Sequence, residues 1–232
     1  MTFALRHLPG AVPEADVAAM RERFWAFLAD RHGLRPDRPE TWTVERPRHL
    51  QALRRSGAFA AMAAPAVVAA LDDLLGAWQR PKAWGLPLIT FPGDGWSVPT
   101  TGWHLDSWRP EPALPGVTVF TFLLPASPRG GGTVVLEGSH ELVNRHIART
   151  GVWASGEVRT ALADAHPWLG EVLRGRRAVG DTAVLDGIPV TVRELTGAPG
   201  DVVLMHPRTL HAAAPNADPT PRMMLVEIID KL

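Results

Sequence analysis

Two short segments of the chain carry side chains that can bind a metal ion. In the first, TGWHLDSW over residues 101–108, His104 and Asp106 stand two positions apart. Side chains alternate along a β-strand, so on a strand this spacing turns an imidazole and a carboxylate to the same face. By itself such a pair also fits an ordinary surface or core pair, because it arises by chance in a chain of this size.

A second segment, GDVVLMHPRTLHAAAPN over residues 200–216, supplies a third ligand. Gly200 and Asp201 form a turn, a strand follows, and His211 opens the next strand. Two histidines and one carboxylate can occupy one face of an octahedral metal and leave the other face open. Nitrogen and oxygen ligands with open positions favour non-haem iron(II) over a closed structural zinc site. The chain has no cysteine, which excludes thiolate ligands.

Two other histidines fit different roles. His206 lies near His211, but its place at a strand end predicts a residue beside the pocket and not a ligand. His140 follows Gly138 and Ser139, where we interpret it as a structural residue at the start of a helix.

These ligands need a rigid β scaffold, and the second part of the chain predicts one. After Pro81, short apolar or β-branched runs alternate with glycine and proline turns. Six strands in that pattern favour an antiparallel sandwich or barrel over a parallel α/β sheet. The predicted strands are Leu86–Phe91, Val117–Leu124, Thr133–Leu136, Pro189–Glu194, Val202–Met205 and Met223–Ile229.

Helices are predicted before and within this β region. Residues 13–31 have apolar side chains at helical spacing, and residues 47–77 fit two or three further helices. Residues 141–175 interrupt the strands with three more helical segments. We therefore expect one domain over 1–232, with a helical layer in 1–80 and a β core in 81–232.

The composition of the chain limits the classes of binding partner that we expect. The chain has 232 residues, 24 basic and 24 acidic, with no lysine-rich run, so nucleic acid is not expected as a partner. No apolar stretch approaches 18 residues, and residues 1–10 lack the pattern of a signal peptide. We expect a cytoplasmic protein that acts on a small-molecule substrate and binds no membrane. Nothing in the sequence indicates an oligomeric state.

Three motifs in this order resemble the phytanoyl-CoA dioxygenase family of iron(II)- and 2-oxoglutarate-dependent oxygenases. They are the His-x-Asp of residues 104–106, the segment GGGTVVLEGSH of residues 130–140, and the Gly-Asp strand that leads to His211 and Arg222. The similarity covers residues 84–230. It implies a double-stranded β-helix (jelly-roll or cupin-like) core with an N-terminal helical layer and a helical insert.

The resemblance also implies an activity. His104, Asp106 and His211 would hold iron(II), and Arg222 would pair with the far carboxylate of the co-substrate 2-oxoglutarate, since a guanidinium binds a carboxylate through two nitrogens. With dioxygen, the enzyme would hydroxylate its substrate and release succinate and carbon dioxide. Asp106 stands where related halogenases carry glycine or alanine, which favours hydroxylation over halogenation. Desaturation, ring closure and epoxidation use the same centre and stay open.

One expected hydroxyl group is missing. Many relatives place serine or threonine two positions after the last histidine ligand, as a second contact for 2-oxoglutarate, and here that position is Ala213. Thr133, then Thr121 and Thr90, are the candidates to replace it, although each also fits the ordinary β-propensity of threonine.

The substrate pocket is expected under the loop between Phe91 and Trp103 and under the insert of residues 141–188. Both are long or rich in glycine and proline, as binding elements often are. The candidate substrate contacts are Trp96, Trp108, Arg109 and Trp153. The insert also fits a simple cover for the outer face of the barrel.

Two other functions remain open from the sequence. One is a cupin-type metalloenzyme that does not use 2-oxoglutarate. The other is a small-molecule binding protein without catalysis.

Overall fold

The computed structural model describes residues 3–44, 46–107, 109–111 and 113–232. The strands, in chain order, are β1 (Leu5–Leu8), β2 (Leu86–Thr90), β3 (Gly116–Phe122), β4 (Thr133–Glu137), β5 (Thr182–Leu185), β6 (Ile188–Glu194), β7 (Val202–Met205), β8 (His211–Ala213) and β9 (Arg222–Asp230). The helices are α1 (Glu14–His32), α2 (Leu50–Arg55), α3 (Pro65–Leu75), α4 (Ser139–Thr150), α5 (Ser155–Ala165) and α6 (Pro167–Leu173). Short 3₁₀ turns lie at Pro39–Thr41 and Ala60–Ala63.

The strands form two antiparallel sheets. The first has five strands in the order β1-β7-β3-β9-β2, and the second has four in the order β5-β6-β4-β8. Apart from β5 and β6, which are joined by a tight turn, neighbours in each sheet are not consecutive in the chain, and several connections cross between the sheets. This is the jelly-roll, cupin-like arrangement predicted from the sequence.

The two faces of the first sheet contact different layers. On β3, Val117 and Val119 pack with the apolar side chains of α1 and α3, which cover the outer face of the sheet. Phe120 and Phe122 point the other way and pack with Met205 between the two sheets. Every residue of β3 is buried because both faces are covered. That explains why its sequence shows no alternation of polar and apolar residues.

The second sheet is covered by the helical insert. Val134 and Leu136 of β4 pack with Leu142 and Val143 of α4 and with residues of α5 and α6. The insert, like the N-terminal helices, thus buries one sheet face, and the space between the sheets is left for Val135 and its neighbours.

All six predicted strands are present, with ends that differ by at most two residues. Two more strands, β1 and β5, were not predicted. They and β8, whose start at His211 was predicted, have three or four residues each and lie at sheet edges. Runs this short contain too few positions for an alternating pattern to stand out. Within the described residues, every helix is too short or too polar to cross a membrane.

Candidate functional site

His104, Asp106 and His211 come together at one point. One possible ligand atom from each lies within 4.8 Å of the others. The Nε2 atom of His211 is 3.3 Å from one carboxylate oxygen of Asp106, and the Nε2 atom of His104 is 3.6 Å from the other. The two rings are 4.1 Å apart between centroids. Among the described residues this is the only such group that can hold a metal ion.

The backbone places these ligands by pairing the two segments. The amide of His104 donates to the carbonyl of His211 (3.0 Å), and the amide of His211 donates back (3.2 Å). The amide of Asp106 donates to the carbonyl of Pro207 (2.8 Å). His211 opens β8 as predicted, but the segment of His104 and Asp106 is not a regular strand. Among its described residues, its ladder pairing is the single antiparallel bridge between His104 and His211.

Both imidazoles are oriented by backbone carbonyls. The Nδ1 of His104 lies 2.7 Å from the carbonyl of Gly102, and the Nδ1 of His211 lies 2.9 Å from that of Thr209. A proton on Nδ1 leaves the lone pair on Nε2, the atom that faces Asp106. Thr118 of β3 donates its hydroxyl to the Oδ2 of Asp106 (2.9 Å), which fixes the carboxylate.

The protonation behaviour of the group fits a cation site. Burial by itself raises the pKa of Asp106, but the hydrogen bond and charge of His211, with Thr118 and His104, leave this pKa below its ordinary value. Burial lowers the pKa of His211, yet Asp106 outweighs it and the pKa is raised. Burial and His211 lower the pKa of His104. An ionised carboxylate between two imidazoles therefore favours a bound cation.

Arg222 is a buried cation that follows His211, the last residue of the His-Asp-His group, in the sequence. It begins β9 directly opposite Thr90 of β2, and its Nη2 donates to the Thr90 hydroxyl (2.6 Å). Only 3% of Arg222 is exposed, and its Nε and Nη1 have no hydrogen-bond partner. Burial lowers its pKa to about 10. A guanidinium in this state is costly unless an anion pairs with it.

Arg222 lines a cavity of about 600 Å³. Thr90, Ala213 and Pro215 line the cavity beside Arg222. Ala213 and Pro215 follow His211 in the chain by two and four positions. The opposite walls come from residues 97–101 and from the segment that contains Arg46 and Leu50. None of the other residues that line this cavity is acidic, so an anion is favoured in it.

The three candidate threonines lie in different places. Thr90 contacts Arg222, as described above. Thr133 shares the inner face of β4 with Val135 and stands opposite Ala213, but it does not line the cavity. Thr121 is on the outer face of β3, with Val119, and its buried hydroxyl has no partner. Of the three candidates, Thr90 is therefore the one that the structure places beside Arg222 in the cavity.

Asn216 fixes the end of the Thr90 strand. Its Nδ2 donates to the carbonyls of Thr90 (3.1 Å) and Thr220 (2.8 Å). Gly131, at φ +77°, lies so close that an added Cβ would be 2.8 Å from the Cβ of Asn216. The glycine-rich turn and the Pro-Asn motif, far apart in sequence, thus meet here.

The aromatic and arginine candidates for substrate contact lie outside the cavity. Trp96 donates through Nε1 to Glu194 (3.1 Å), and Trp153 is 42% exposed. Arg109 donates to the carbonyl of Lys231 (3.2 Å) and lies 3.8 Å from a carboxylate oxygen of Asp230. Trp108 is outside the described residues.

The expected cover of the pocket needs a correction. The loop before Trp103 does line the cavity, through residues 97–101, but none of the lining residues comes from 141–188. The insert instead holds the backbone around His104: Ser155 accepts a hydrogen bond from the amide of Leu105 (3.0 Å), and Arg159 donates to the carbonyl of Trp103 (2.7 Å). The second wall is the N-terminal segment around Arg46, which the sequence did not suggest.

Sequence reasoning missed Arg208, which holds the loop after Asp106 together with His206; His206, expected beside the pocket, does not line the cavity. Arg208, 1% exposed, donates to the carbonyls of Arg109 (3.0 Å) and Pro110 (2.8 Å) and to the side chain of Asn144. His206 lies 2.9 Å from the carbonyl of Ala113, and its Nδ1 accepts from the Arg208 amide. Thr118 was missed as well. The usable signal was the unusual His-Pro-Arg at a strand end.

Comparisons with known proteins agree with this geometry. A family model described as phytanoyl-CoA dioxygenase (PhyH) matches residues 6–224. No match was found among curated proteins.

Several solved structures have the same fold. The carbocyclase SnoK from nogalamycin biosynthesis, described as non-heme and alpha-ketoglutarate-dependent, is 19% identical with a TM-score of 0.58, over 98% of this chain and 79% of that one. HygX from Streptomyces hygroscopicus, solved with nickel and 2-oxoglutarate, is 17% identical with a TM-score of 0.54, over 99% and 82%. The epimerase SnoN, also from nogalamycin biosynthesis, is 17% identical with a TM-score of 0.52, over 97% and 77%.

The family model covers nearly the whole chain, including the His-Asp-His group and the start of β9 at Arg222. The protein therefore belongs to the phytanoyl-CoA dioxygenase family.

Proposed function

We propose that this protein is a non-haem iron(II)- and 2-oxoglutarate-dependent oxygenase that hydroxylates a small molecule. The observation that carries the proposal is Arg222, a buried guanidinium with two unpaired nitrogens in the cavity beside β8. A metalloenzyme that does not use 2-oxoglutarate has no evident need for that costly group.

The ligand set fits iron. His104 and His211 offer Nε2 atoms, each held in place by a carbonyl at Nδ1, and Asp106 offers a carboxylate steadied by Thr118. When bound, iron(II) couples the decarboxylation of 2-oxoglutarate by dioxygen, to succinate and carbon dioxide, to insertion of an oxygen atom into a C–H bond of the substrate.

Arg222 and Thr90 bind the far carboxylate of 2-oxoglutarate in this scheme. The guanidinium keeps Nε and Nη1 for the two carboxylate oxygens while Thr90 holds Nη2. The Thr90 hydroxyl then replaces the group that is absent at Ala213. Because the site is buried, the ion pair is shielded from water and each contact counts for more than at the surface.

The substrate reaches the metal from the side of His104. The His104 side chain is 51% exposed, while that of His211 is 5% exposed and packs against Phe120. The cavity is far larger than 2-oxoglutarate needs, so residues 97–101 and the segment around Arg46 line space for a second molecule. Residues 97–101 include the hydroxyl groups of Ser97, Thr100 and Thr101, which suit a polar small molecule.

Asp106 favours hydroxylation over halogenation, because a carboxylate in the triad would take the ligand position that a halide needs. Similar structures include an epimerase and a carbocyclase, so product analysis is the measurement that distinguishes hydroxylation from other oxidations.

The first test measures iron and 2-oxoglutarate directly and needs no known substrate. Purified protein reconstituted anaerobically with iron(II) should hold about one ion per chain and bind 2-oxoglutarate in calorimetry. On exposure to dioxygen it should form succinate. His211→Ala should lose both iron and succinate formation.

The matched control is His49→Asn. His49 is exposed and has φ +64°, a conformation that asparagine tolerates, so this variant should keep iron and activity. Iron binding without any 2-oxoglutarate binding would favour the cupin-type enzyme instead. An equal loss in both variants would contradict the assignment of the ligands.

A further inference from the structure

A second cleft, of about 440 Å³, lies within the helical insert, between α4 and α5. Its polar lining consists of Arg145, His146 and Arg149 of α4, His166 after α5, and Asp186 in the turn between β5 and β6. It shares no lining residue with the cavity at Arg222.

His146 is the buried polar group of this cleft. It is 7% exposed, and its Nε2 is buried without a hydrogen-bond partner. Buried ring nitrogens nearly always have a partner, so an unpaired one that lines a cleft leaves a hydrogen-bonding position for a ligand atom. Burial and the charge of Arg149 lower the pKa of His146, so the ring is neutral and its nitrogen can donate or accept one hydrogen bond.

Two positive charges stand beside His146. Arg145 and Arg149 are four positions apart on α4, and like charges at this spacing repel each other on a helix. Arg145 is held by a hydrogen bond from Nη1 to the carbonyl of Asp186 (2.8 Å), not by a carboxylate. The carboxylate of Asp186 is 3.6 Å from the Nε2 of His166. Two guanidinium groups therefore face one acidic side chain, and the cleft is positive.

This set of side chains suits an anion and not a metal ion. Among the described residues, only His104, Asp106 and His211 place three possible ligand atoms together. In the cleft the guanidinium groups would repel a cation, whereas they match the oxygens of a phosphate or carboxylate.

We propose that the cleft between α4 and α5 is a second binding site, which takes the phosphate or carboxylate group of a small organic anion. The guanidinium groups of Arg145 and Arg149 contact its oxygens, and His146 makes one hydrogen bond below them. Leu142 and Leu162, which also line the cleft, provide an apolar floor. An anion with an apolar body should therefore bind more tightly than inorganic phosphate.

The test is a titration of the full-length protein, kept metal-free by a chelator so that anions cannot bind iron. The probes are inorganic phosphate, phenyl phosphate and benzoate, each followed by calorimetry and by thermal shift. Phenyl phosphate or benzoate should bind saturably and more tightly than inorganic phosphate, and the tighter of these two identifies the anionic group. Arg149→Gln and Arg145→Gln should each weaken binding about three- to tenfold, since the contacts are charge-assisted but partly exposed.

Two control variants locate the binding. Arg176→Gln removes an exposed arginine of the same insert that does not line the cleft, and it should bind as the wild type does. Arg222→Gln should also keep this binding, because its cavity is separate. Absence of saturable binding of all three probes to the wild type would overturn the proposal. The proposal would also be overturned if Arg149→Gln bound the probes as tightly as the wild type does, or if Arg222→Gln were the only variant that lost binding.

Discussion

Arg222 and Thr90 stand directly opposite each other in the ladder between β9 and β2, and a guanidinium nitrogen of Arg222 donates to the Thr90 hydroxyl across 2.6 Å. This bond turns the guanidinium so that Nε and Nη1 are left without a partner. It also places a hydroxyl in the cavity that Ala213 lines.

Thr90→Val should weaken 2-oxoglutarate binding about three- to tenfold, because it removes one hydrogen bond to the guanidinium and its carboxylate. Calorimetry on nickel-loaded protein measures this without turnover, and Thr90→Ser should restore the affinity. Thr121→Val is the control, since Thr121 lies on the outer face of the same sheet. Weaker binding in Thr121→Val, with Thr90→Val unchanged, would show that the hydroxyl was assigned to the wrong strand.

Arg222→Met should have opposite effects on stability and on binding. Replacing an unpaired buried charge with an apolar side chain of similar length should raise the free energy of unfolding of the ligand-free protein by about 1–3 kcal/mol. The same variant should lose the stabilisation that 2-oxoglutarate gives to the wild type. Thermal denaturation with and without 2-oxoglutarate measures both effects. A variant that 2-oxoglutarate still stabilises to the wild-type extent contradicts the role of Arg222.

Thr118→Val should lower the affinity for iron or nickel about 10- to 100-fold, the usual effect of removing a hydrogen bond that orients a ligand. The Asp106 carboxylate would lose the bond that fixes its Oδ2. Thr121→Val again serves as the control, because it is on the same strand but faces the helices. Metal titration followed by intrinsic tryptophan fluorescence measures the affinity. Equal affinities in all three proteins would mean that Thr118 does not position Asp106.

His206 should make the protein less stable in acid. Burial and the nearby His140 lower the pKa of His206 to about 3, well below the value of about 6.5 for an unfolded chain. At pH values between these two pKa values, His206 is protonated in the unfolded state but not in the folded state. The free energy of unfolding therefore falls as the pH falls through this window, by up to about 1.4 kcal/mol per pH unit.

His206→Gln removes that proton while keeping a donor for the carbonyl of Ala113. Urea denaturation at several acidic pH values should give a shallower slope of stability against pH for the variant than for the wild type. The comparison concerns the slope, so a general loss of stability in the variant does not affect it. Equal slopes would show that His206 is protonated in the folded protein.

Much of this protein can be read from its sequence because the signals are local. Runs of β-branched residues between glycine and proline turns predicted six strands, and the spacing of His104 and Asp106 with a strand-opening His211 predicted the metal group. The short edge strands β1 and β5 were not predicted because each has only four residues. Their existence depends on a neighbouring strand and not on their own pattern.

The chemistry-bearing residue types, their order and the antiparallel β class were thus determined by the sequence alone. The tertiary structure decided which of several residues of the same type contact Asp106 and Arg222. Thr118 and Thr121 lie three positions apart on β3, yet one contacts Asp106 and the other faces the helices. Likewise, sheet register places Thr90, not Thr133, at Arg222, and chain packing makes the segment around Arg46 the far wall of the cavity. Strand parity and register arise from contacts between distant segments, which no local pattern records.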